Sequence, residues 1–137
     1  MLAGMVSEST LLSAIRAELG RNPGVVVWRV AAGFDVLATQ RYGLAPGCSD
    51  LLGVCKPNGR MLALEVKTLT GVVRPDQRVF LELVGFMGGY ADVVRTVSQA
   101  VLAARLACEG AESPYRRWPT FPGVAPPAPP KGNASED

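Results

Sequence analysis

Histidine is absent from this chain of 137 residues. Its absence excludes Ser-His-Asp and Cys-His catalysis, histidine-ligated zinc and two-histidine-one-carboxylate iron sites. Cysteine is scarce, because the chain holds only Cys48, Cys55 and Cys108, with no CxxC pair among them. An odd number of well-separated cysteines fits reduced thiols in a cytosolic protein better than a disulfide framework or a zinc site. Their simplest role is that of small apolar side chains in the interior.

Long apolar runs and a strong net charge are also missing. No run approaches the roughly 18 residues that span a bilayer, and the N-terminus shows no basic segment followed by an uninterrupted apolar stretch. We therefore expect a soluble, cytoplasmic protein without a membrane partner. The net charge of only +2, from 14 Lys and Arg against 12 Asp and Glu, gives no overall basic field. If the chain binds DNA, its basic residues must be gathered locally.

The chain is long enough for one domain and too short for two ordinary ones. Hydrophobic residues make up 48% of it, a generous share for one small domain, which suggests that a second subunit covers part of the apolar surface. From Gly110 onward, prolines crowd a segment without periodicity. We predict a folded domain over residues 1–109 and a disordered or extended Pro-rich tail over residues 110–137.

Apolar periodicity and capping residues predict the order of the elements. In chain order these are a helix after the N-cap Ser7, a strand over 25–30, a loop or interrupted strand over 31–47, strands over 51–55 and 61–68, a helix opened by Pro75, a strand over 90–97, and a helix from the cap Ser98 to about Cys108. The apolar stripe of the second helix is predicted from Val79, Phe80, Leu83, Val84 and Met87. This order predicts an α/β fold, with a mixed central β-sheet flanked by helices.

The dipeptide Asn58-Gly59 lies between two of the predicted strands and is typical of a two-residue hairpin turn. Such a turn pairs Asp50 with Lys67, and alternation along the strand places Glu65 on the face of Lys67. Asp50, Glu65 and Lys67 are therefore predicted to project from the same side of the sheet. A slip of one residue would move Asp50 to the other face, so the prediction requires a loop with an even number of residues.

Two carboxylates beside a lysine in an apolar sheet predict a bound cation, since unpaired buried charges are costly. Oxygen ligands suit Mg²⁺ or Mn²⁺, which activate water and polarise phosphodiesters. Lys67 would add positive charge to the transition state or orient the attacking water. The pattern thus indicates phosphodiester hydrolysis. The alternatives are a turn role for Asp50 and a solvent-facing edge strand for Glu65 and Lys67, although Met61 and Ala63 on the same face make full exposure unnatural.

Several short motifs follow one another along the chain. They are Glu8 in the first helix, Arg41-Tyr42-Gly43-Leu44, Gly47-Cys48-Ser49-Asp50-Leu51, Glu65-Val66-Lys67, and Gln77 after Thr70-Gly71. In these motifs the chain resembles the VRR-NUC (virus-type replication-repair nuclease) branch of the PD-(D/E)xK nucleases, over roughly residues 7 to 105. E-x-K alone is a very weak motif, whereas the ordered set is fairly specific. One letter differs, because Ser49 stands where the family motif has proline.

The resemblance implies a restriction-endonuclease-like core and a DNA endonuclease that uses Mg²⁺ or Mn²⁺. Free-standing phage members of the family resemble Holliday-junction resolvases and act as homodimers, which implies a homodimer acting on branched or junction DNA in DNA repair. If the chain comes from a phage or a bacterium, it acts in the cytoplasm of the bacterial cell. The implied metal ligands are Glu8, Asp50, Glu65 and the backbone carbonyl of Val66, and the implied catalytic residues are Asp50, Glu65, Lys67 and Gln77.

Glu8 and Gln77 each have a simpler interpretation. An acid in the first turn of a helix, such as Glu8, interacts favourably with the helix dipole. Gln77 lies in the first turn after Pro75, where free backbone N–H groups attract phosphate, but a merely polar first-turn residue is about equally expected. The residues predicted to contact DNA are Arg41, Tyr42, Arg74 and Arg78. Exposed arginines are usually only solvated, and Tyr42 fits the core equally well.

A different class of function uses the same fold. The alternative to the nuclease is a catalytically idle DNA-binding or replication-repair assembly module, which would bind through basic loops and need no divalent ion. A third possibility is a structural dimer whose acidic patch binds metal adventitiously. Retention of the expected residues Asp50, Glu65 and Lys67 favours the nuclease, because a module freed from catalysis need not keep them.

Overall fold

The computed structural model describes residues 6–30, 33–35, 40–42 and 47–116, with the backbone alone described for 33–35 and 40–42. The elements in these residues are α1 (Glu8–Leu19), β1 (Val25–Arg29), β2 (Gly33–Asp35), β3 (Gln40–Tyr42), β4 (Leu51–Cys55), β5 (Arg60–Val66), α2 (Pro75–Phe86), β6 (Tyr90–Val94) and α3 (Val97–Cys108). Within the described residues, no helix combines the length and the apolar character that crossing a membrane requires.

Four strands form a mixed sheet in the order β1-β4-β5-β6. The pairs β1/β4 and β4/β5 are antiparallel, whereas β5 and β6 are parallel. Parallel neighbours need a crossover connection, and α2 supplies it between β5 and β6. Strands β2 and β3 pair separately as a short antiparallel ladder, within the stretch predicted as a loop or an interrupted strand.

Helices cover both faces of the sheet. One hydrophobic cluster joins α1 and α3 to the sheet face that carries Leu62, Leu64 and Val66. A smaller cluster, which includes Ala63 and Leu81, joins α2 to the opposite face. Alternation along β5 separates the two sets, because successive side chains point to opposite faces. The predicted α/β fold, a mixed sheet flanked by helices, is confirmed.

The β4–β5 hairpin has a loop of four residues, not two. Cys55 pairs with Arg60, so the connection runs from Lys56 to Gly59, and the N–H of Gly59 donates to the carbonyl of Cys55 at 2.9 Å. The predicted pairing of Asp50 with Lys67 is therefore wrong, because the register places Asp50 beside Glu65. The predicted face is unchanged, since a shift of two residues preserves the alternation of side chains.

The buried face of α2 differs from the predicted stripe. The residues that this helix buries are Gln77, Leu81, Glu82, Val84 and Gly85. Of the predicted stripe, Leu83 is 40% exposed and Met87, just past the helix, is 74% exposed. The helix turns the side that carries Gln77 toward the sheet, where the amide of Gln77 hydrogen-bonds to Glu65 of β5. Apolar spacing could not predict this orientation, because a polar contact belongs to the buried face.

The helix caps agree in part with the sequence. The hydroxyl of Ser7 accepts from the N–H of Thr10 at 3.2 Å, so the predicted cap of α1 is confirmed. The predicted cap of α3, Ser98, is wrong, because Thr96 caps this helix and accepts from the N–H of Gln99 at 3.1 Å.

Residues 111–116 lie on the folded body, beyond the predicted domain boundary at 109/110. The hydroxyl of Ser113 bonds to both the N–H and the carbonyl of Ala91 in β6, at 3.0 and 2.8 Å. Tyr115 packs against the α2 cluster, and its carbonyl occupies the place where a Cβ on Gly85 would stand. The rest of the predicted Pro-rich tail, residues 117–137, lies outside the described residues.

Candidate active site

Asp50, Glu65 and Lys67 meet at the end of the β4–β5 hairpin. The Nζ of Lys67 lies 3.6 Å from the Oε1 of Glu65. The Oδ2 of Asp50 accepts a hydrogen bond from the N–H of Val66 at 2.9 Å, which fixes this carboxylate at the end of β5. The structure thus brings together the three residues that the sequence singled out.

Glu65 is a buried acid with one unpaired oxygen. Its side chain is only 2% exposed, and its Oε1 accepts from the Nε2 of Gln77 at 2.9 Å. Its Oε2 is buried and has no hydrogen-bond partner in the part of the chain that the structure describes. A buried polar atom without a partner is uncommon and costs about 1–3 kcal/mol. An oxygen of this kind fits a ligand position for a hard cation.

The pKa of Glu65 is raised from 4.5 to about 8, and burial is the largest cause. The negative charge and the close approach of the Asp50 carboxyl group are the next causes of this increase, and the charge of Glu8 adds a smaller one. The ammonium of Lys67 lowers it, without offsetting the other effects. In the absence of a cation, Glu65 therefore keeps its proton at neutral pH, and a nearby positive charge would release it.

Gln77 connects the first turn of α2 to Glu65. Its side-chain oxygen accepts from the N–H of Arg74 at 2.9 Å, while its Nε2 donates to Glu65. This is the capping-box geometry, in which a third-position glutamine reaches back to the residue before the helix. Both ends of the amide are therefore engaged within the protein, and Gln77 holds Glu65 in place. The predicted role of Gln77 toward water or phosphate stays a prediction.

A glycine sets the approach of β4 to α2. Gly47 has a φ of 93°, and a Cβ there would collide with the backbone carbonyl of Asp76 in the first turn of α2. Only a residue without a side chain lets the segment before Asp50 pass this close. The carbonyl of Asp50 then accepts from the N–H of Val30 at 2.9 Å, which ties the segment to the end of β1.

Arg95 braces the segment that follows Lys67, and sequence reasoning missed it. Its Nη1 donates to the carbonyls of Thr68 and Gly71, at 2.6 and 2.7 Å. A Cβ on Gly71 would lie 3.4 Å from the Cβ and Cδ of Lys67, so the braced turn lies against the stem of the lysine. No local sequence pattern predicts that Arg95 holds this turn, because the parallel pairing of β5 and β6 brings Arg95 there.

Glu8 stands apart from the carboxylate pair. It is exposed in the first turn of α1, and its charge makes the smallest contribution to the raised pKa of Glu65. Across the described segments, no three His, Cys, Asp or Glu side chains converge closely enough to hold a metal ion. Among the described side chains, the two carboxylates that come together are those of Asp50 and Glu65, and the predicted ligand role of Glu8 stays a prediction.

The residues predicted to contact DNA are only partly described. Arg74 and Arg78 flank Gln77. Arg74 forms an exposed ion pair with Asp76 at 3.2 Å, whereas the exposed guanidinium of Arg78 lies 3.6 Å from the buried carboxylate of Glu82. The exposed pair is weak, so the guanidinium of Arg74 remains available to a phosphate, and the side chain of Arg78 is 68% exposed. The other two predicted residues, Arg41 and Tyr42, belong to β3, and their side chains lie outside the described residues.

Cys48 is a second residue that the sequence did not place at the site. It is half-buried, and burial raises the pKa of its thiol, helped by the charges of Glu65 and Asp50. The thiol therefore stays protonated and is a weak nucleophile beside the two acids. Its role in the structure is to fill space next to the carboxylates.

Neither a protein-family model nor a curated protein sequence matches this chain.

Proposed function

We propose that this protein is a divalent-metal-dependent nuclease that hydrolyses DNA phosphodiester bonds at Asp50, Glu65 and Lys67. The unpaired Oε2 of Glu65 carries the proposal, because it is a buried carboxylate oxygen beside a second acid and a lysine. Burying such a group without a partner destabilises the fold. A cation would offset this cost by binding the oxygen and displacing the proton. The order of β4, β5, α2 and β6 is compatible with the proposed restriction-endonuclease-like core.

The residues present fit a hard divalent cation such as Mg²⁺ or Mn²⁺. Asp50 and Glu65 would hold it with carboxylate oxygens, together with the backbone carbonyl of Val66. Glu8 would complete the set through water, since its own carboxylate stands apart. Mg²⁺ usually keeps several waters and takes only one or two carboxylates from the protein, so two acids suffice. When bound, such an ion supplies positive charge that activates water and polarises the phosphodiester.

The protein's own side chains divide the remaining work. Lys67, held 3.6 Å from Glu65, lies where its ammonium would stabilise the negative charge that develops on the phosphoryl oxygens. Gln77 keeps the Oε1 of Glu65 occupied, which leaves the Oε2 as the oxygen that faces a ligand. Arg74 and Arg78 would bind flanking phosphates and set the position of the DNA.

Branched or junction DNA is the proposed substrate, and a homodimer in the cytoplasm is the proposed working form. The support for both is the family resemblance of the sequence, and for the homodimer also the apolar surface that the fold leaves exposed, at Val26, Trp28 and Val54. Two copies of one site would suit a substrate with two equivalent strands.

The test is cleavage of differently shaped DNAs by the purified protein. Branched, single-stranded and duplex DNA are incubated with Mg²⁺, Mn²⁺ or EDTA. We expect cleavage with either ion, none with EDTA, and loss of cleavage in Lys67→Ala with DNA binding retained. Lys56→Ala is the matched control, because Lys56 lies in the exposed hairpin loop far from the carboxylates. Full cleavage by Lys67→Ala would remove Lys67 from the mechanism, and no cleavage of any DNA by the unmodified protein would reject the nuclease.

The separation of Glu8 from the carboxylate pair favours one second candidate, a DNA-binding module that performs no catalysis. Such a module would bind branched DNA equally well in EDTA and in Mg²⁺. Binding without cleavage under every ionic condition would support it over the nuclease.

A further inference from the structure

The loop over residues 68–76 begins and ends at the same buried acid, and we call it the site loop. Immediately before it, the Nζ of Lys67 lies 3.6 Å from the Oε1 of Glu65. Immediately after it, the Nε2 of Gln77 donates to the same oxygen at 2.9 Å. Both ends of the site loop are therefore fixed at the candidate active site, and its residues border the approach to the two carboxylates.

Hydrogen bonds hold the first part of the site loop in one shape. The N–H of Gly71 donates to the carbonyl of Thr68 at 3.1 Å and closes a β-turn. The Nη1 of Arg95 donates to the carbonyls of both residues, at 2.6 and 2.7 Å. A loop that is already held in this way loses little conformational freedom when it binds a ligand.

Two large apolar side chains of the site loop project into solvent. Leu69, within the turn, is 74% exposed, and Val72, which follows the turn, is 79% exposed. Among the described residues, only Met87 exposes as large a share of a large apolar side chain, at 74%. Neither Leu69 nor Val72 belongs to a hydrophobic cluster of the described core. Packing of the fold therefore gives no reason for these two exposed apolar side chains on a rigid loop.

The same loop supplies a cation for the DNA backbone. The side chain of Arg74 is 63% exposed, and its backbone N–H is linked to Glu65 through the amide of Gln77. The ion pair of Arg74 with Asp76 is exposed and therefore weak. The guanidinium is thus free to exchange this pair for a contact with a phosphate. Apolar side chains beside a phosphate-binding arginine are a combination with which proteins enter a base stack and hold its backbone.

We propose that Leu69 and Val72 form an apolar wedge, which enters DNA at a branch point and positions the adjoining phosphate at Glu65. Separating stacked bases is costly within a continuous duplex, whereas the cost is smallest where bases are already unpaired or unstacked. The wedge therefore favours branched DNA over duplex. It rests on the proposed function, since it assumes that branched DNA binds at this site.

The size and the charge of this surface favour DNA over a protein partner. A stable protein interface covers about 800 Å² on each partner, far more than two side chains of one loop offer. A base step is small enough for two side chains to enter it. The exposed guanidinium of Arg74, in the same loop, suits the negative charge of the DNA backbone.

The fluorescence of 2-aminopurine, which rises when this base is unstacked, tests the wedge without requiring cleavage. The probe is placed beside the branch point of a three-way junction and at the same position in a matched duplex. The protein is added to saturation in Ca²⁺ and, separately, in EDTA. We expect a several-fold rise in fluorescence on the junction and little change on the duplex.

Variants of the wedge and a matched control complete the binding test. The double variant Leu69→Ala, Val72→Ala should lose most of the fluorescence rise at saturation. Met87→Ala is the control and should keep the wild-type signal, because Met87 is as exposed as Leu69 but lies at the far end of α2 from Gln77. Urea unfolding verifies that the variants are folded, and their midpoints should be similar because no buried side chain is truncated.

Cleavage in Mg²⁺ separates the wedge from the chemistry. The ratio of kcat/KM on the junction to kcat/KM on the duplex should fall several-fold in the double variant and stay unchanged in Met87→Ala. Equal fluorescence from wild type and the double variant, or no unstacking of the junction by the wild type, would overturn the wedge even if DNA is cut. Unstacking without cleavage of any DNA would instead reject the nuclease and support the wedge on a DNA-binding module.

Discussion

Replacing Glu65 by glutamine is expected to change how the stability of the metal-free protein depends on pH. The pKa of Glu65 is about 8 in the folded protein against an ordinary value of 4.5. The folded state therefore binds a proton that the unfolded state releases, and raising the pH favours unfolding. The difference of about 3.5 between the two pKa values corresponds to a loss of about 5 kcal/mol in the free energy of unfolding as the pH rises. Each tenfold change in proton affinity is equivalent to about 1.4 kcal/mol. The stability that protonated Glu65 contributes is fully present below pH 4.5 and is lost as the pH rises through about 8.

Urea unfolding in EDTA, at several pH values between these limits, measures the effect. A loss of about 5 kcal/mol is a large part of the 5–15 kcal/mol that stabilises a typical domain, so the wild-type midpoint should fall steeply. In Glu65→Gln the side chain cannot titrate, and this fall should disappear. Glu18→Gln, a surface substitution on α1, is the control and should keep the wild-type slope. Parallel curves for wild type and Glu65→Gln would refute the reasoning that Glu65 is protonated in the folded protein.

Two further substitutions probe the surroundings of the site. Ser49→Ala removes a buried hydroxyl that has no partner in the described residues. Urea unfolding should therefore show a stability that is unchanged or higher by up to about 1 kcal/mol. A stability loss of more than about 1 kcal/mol would mean that the hydroxyl has a hydrogen-bond partner. Arg95→Ala removes two short hydrogen bonds to the turn over Lys67. We therefore expect kcat on DNA to fall while KM is little changed, and we expect Arg95→Lys to recover part of kcat. An equal loss of kcat in both variants would show that the positive charge alone does not position the turn.

Local sequence patterns predicted the helices and strands well, because these elements depend mainly on residues that are neighbours in sequence. The cap at Ser7 and the leucine spacing of α1 act within one helix, and the structure confirms both. The shared face of Asp50 and Glu65 was also predictable, although their register was not. Asn58-Gly59 is compatible with loops of two or four residues, and either length keeps the same parity. The predicted shared face of Asp50 and Glu65 is confirmed because it depends on an even number of loop residues and not on the length of the loop.

Contacts between distant elements were out of reach of these patterns. The orientation of α2 follows from the hydrogen bond between Gln77 and Glu65, twelve positions apart in sequence. The brace formed by Arg95 depends on the parallel pairing of β5 and β6, which no single-sequence pattern fixes. Apolar spacing treats a polar residue on a helix as solvent-facing, so it predicted the burial of Val84 correctly but placed Leu83 and Met87 on the buried face and left out Gln77.

The energetics of Glu65 connect its stability to its proposed function. A buried acid that is protonated at neutral pH adds less stability than a packed apolar residue of similar volume would, so folding alone gives no reason for it. The surrounding contacts do not relieve this cost, because Gln77 and Lys67 both approach Oε1, and none of the described residues hydrogen-bonds to Oε2. A cation at Oε2 would stabilise the folded state in proportion to its occupancy. Divalent ions should therefore raise the unfolding midpoint of the wild type most at alkaline pH, where the metal-free carboxylate is charged and its Oε2 has no hydrogen-bond partner among the described residues.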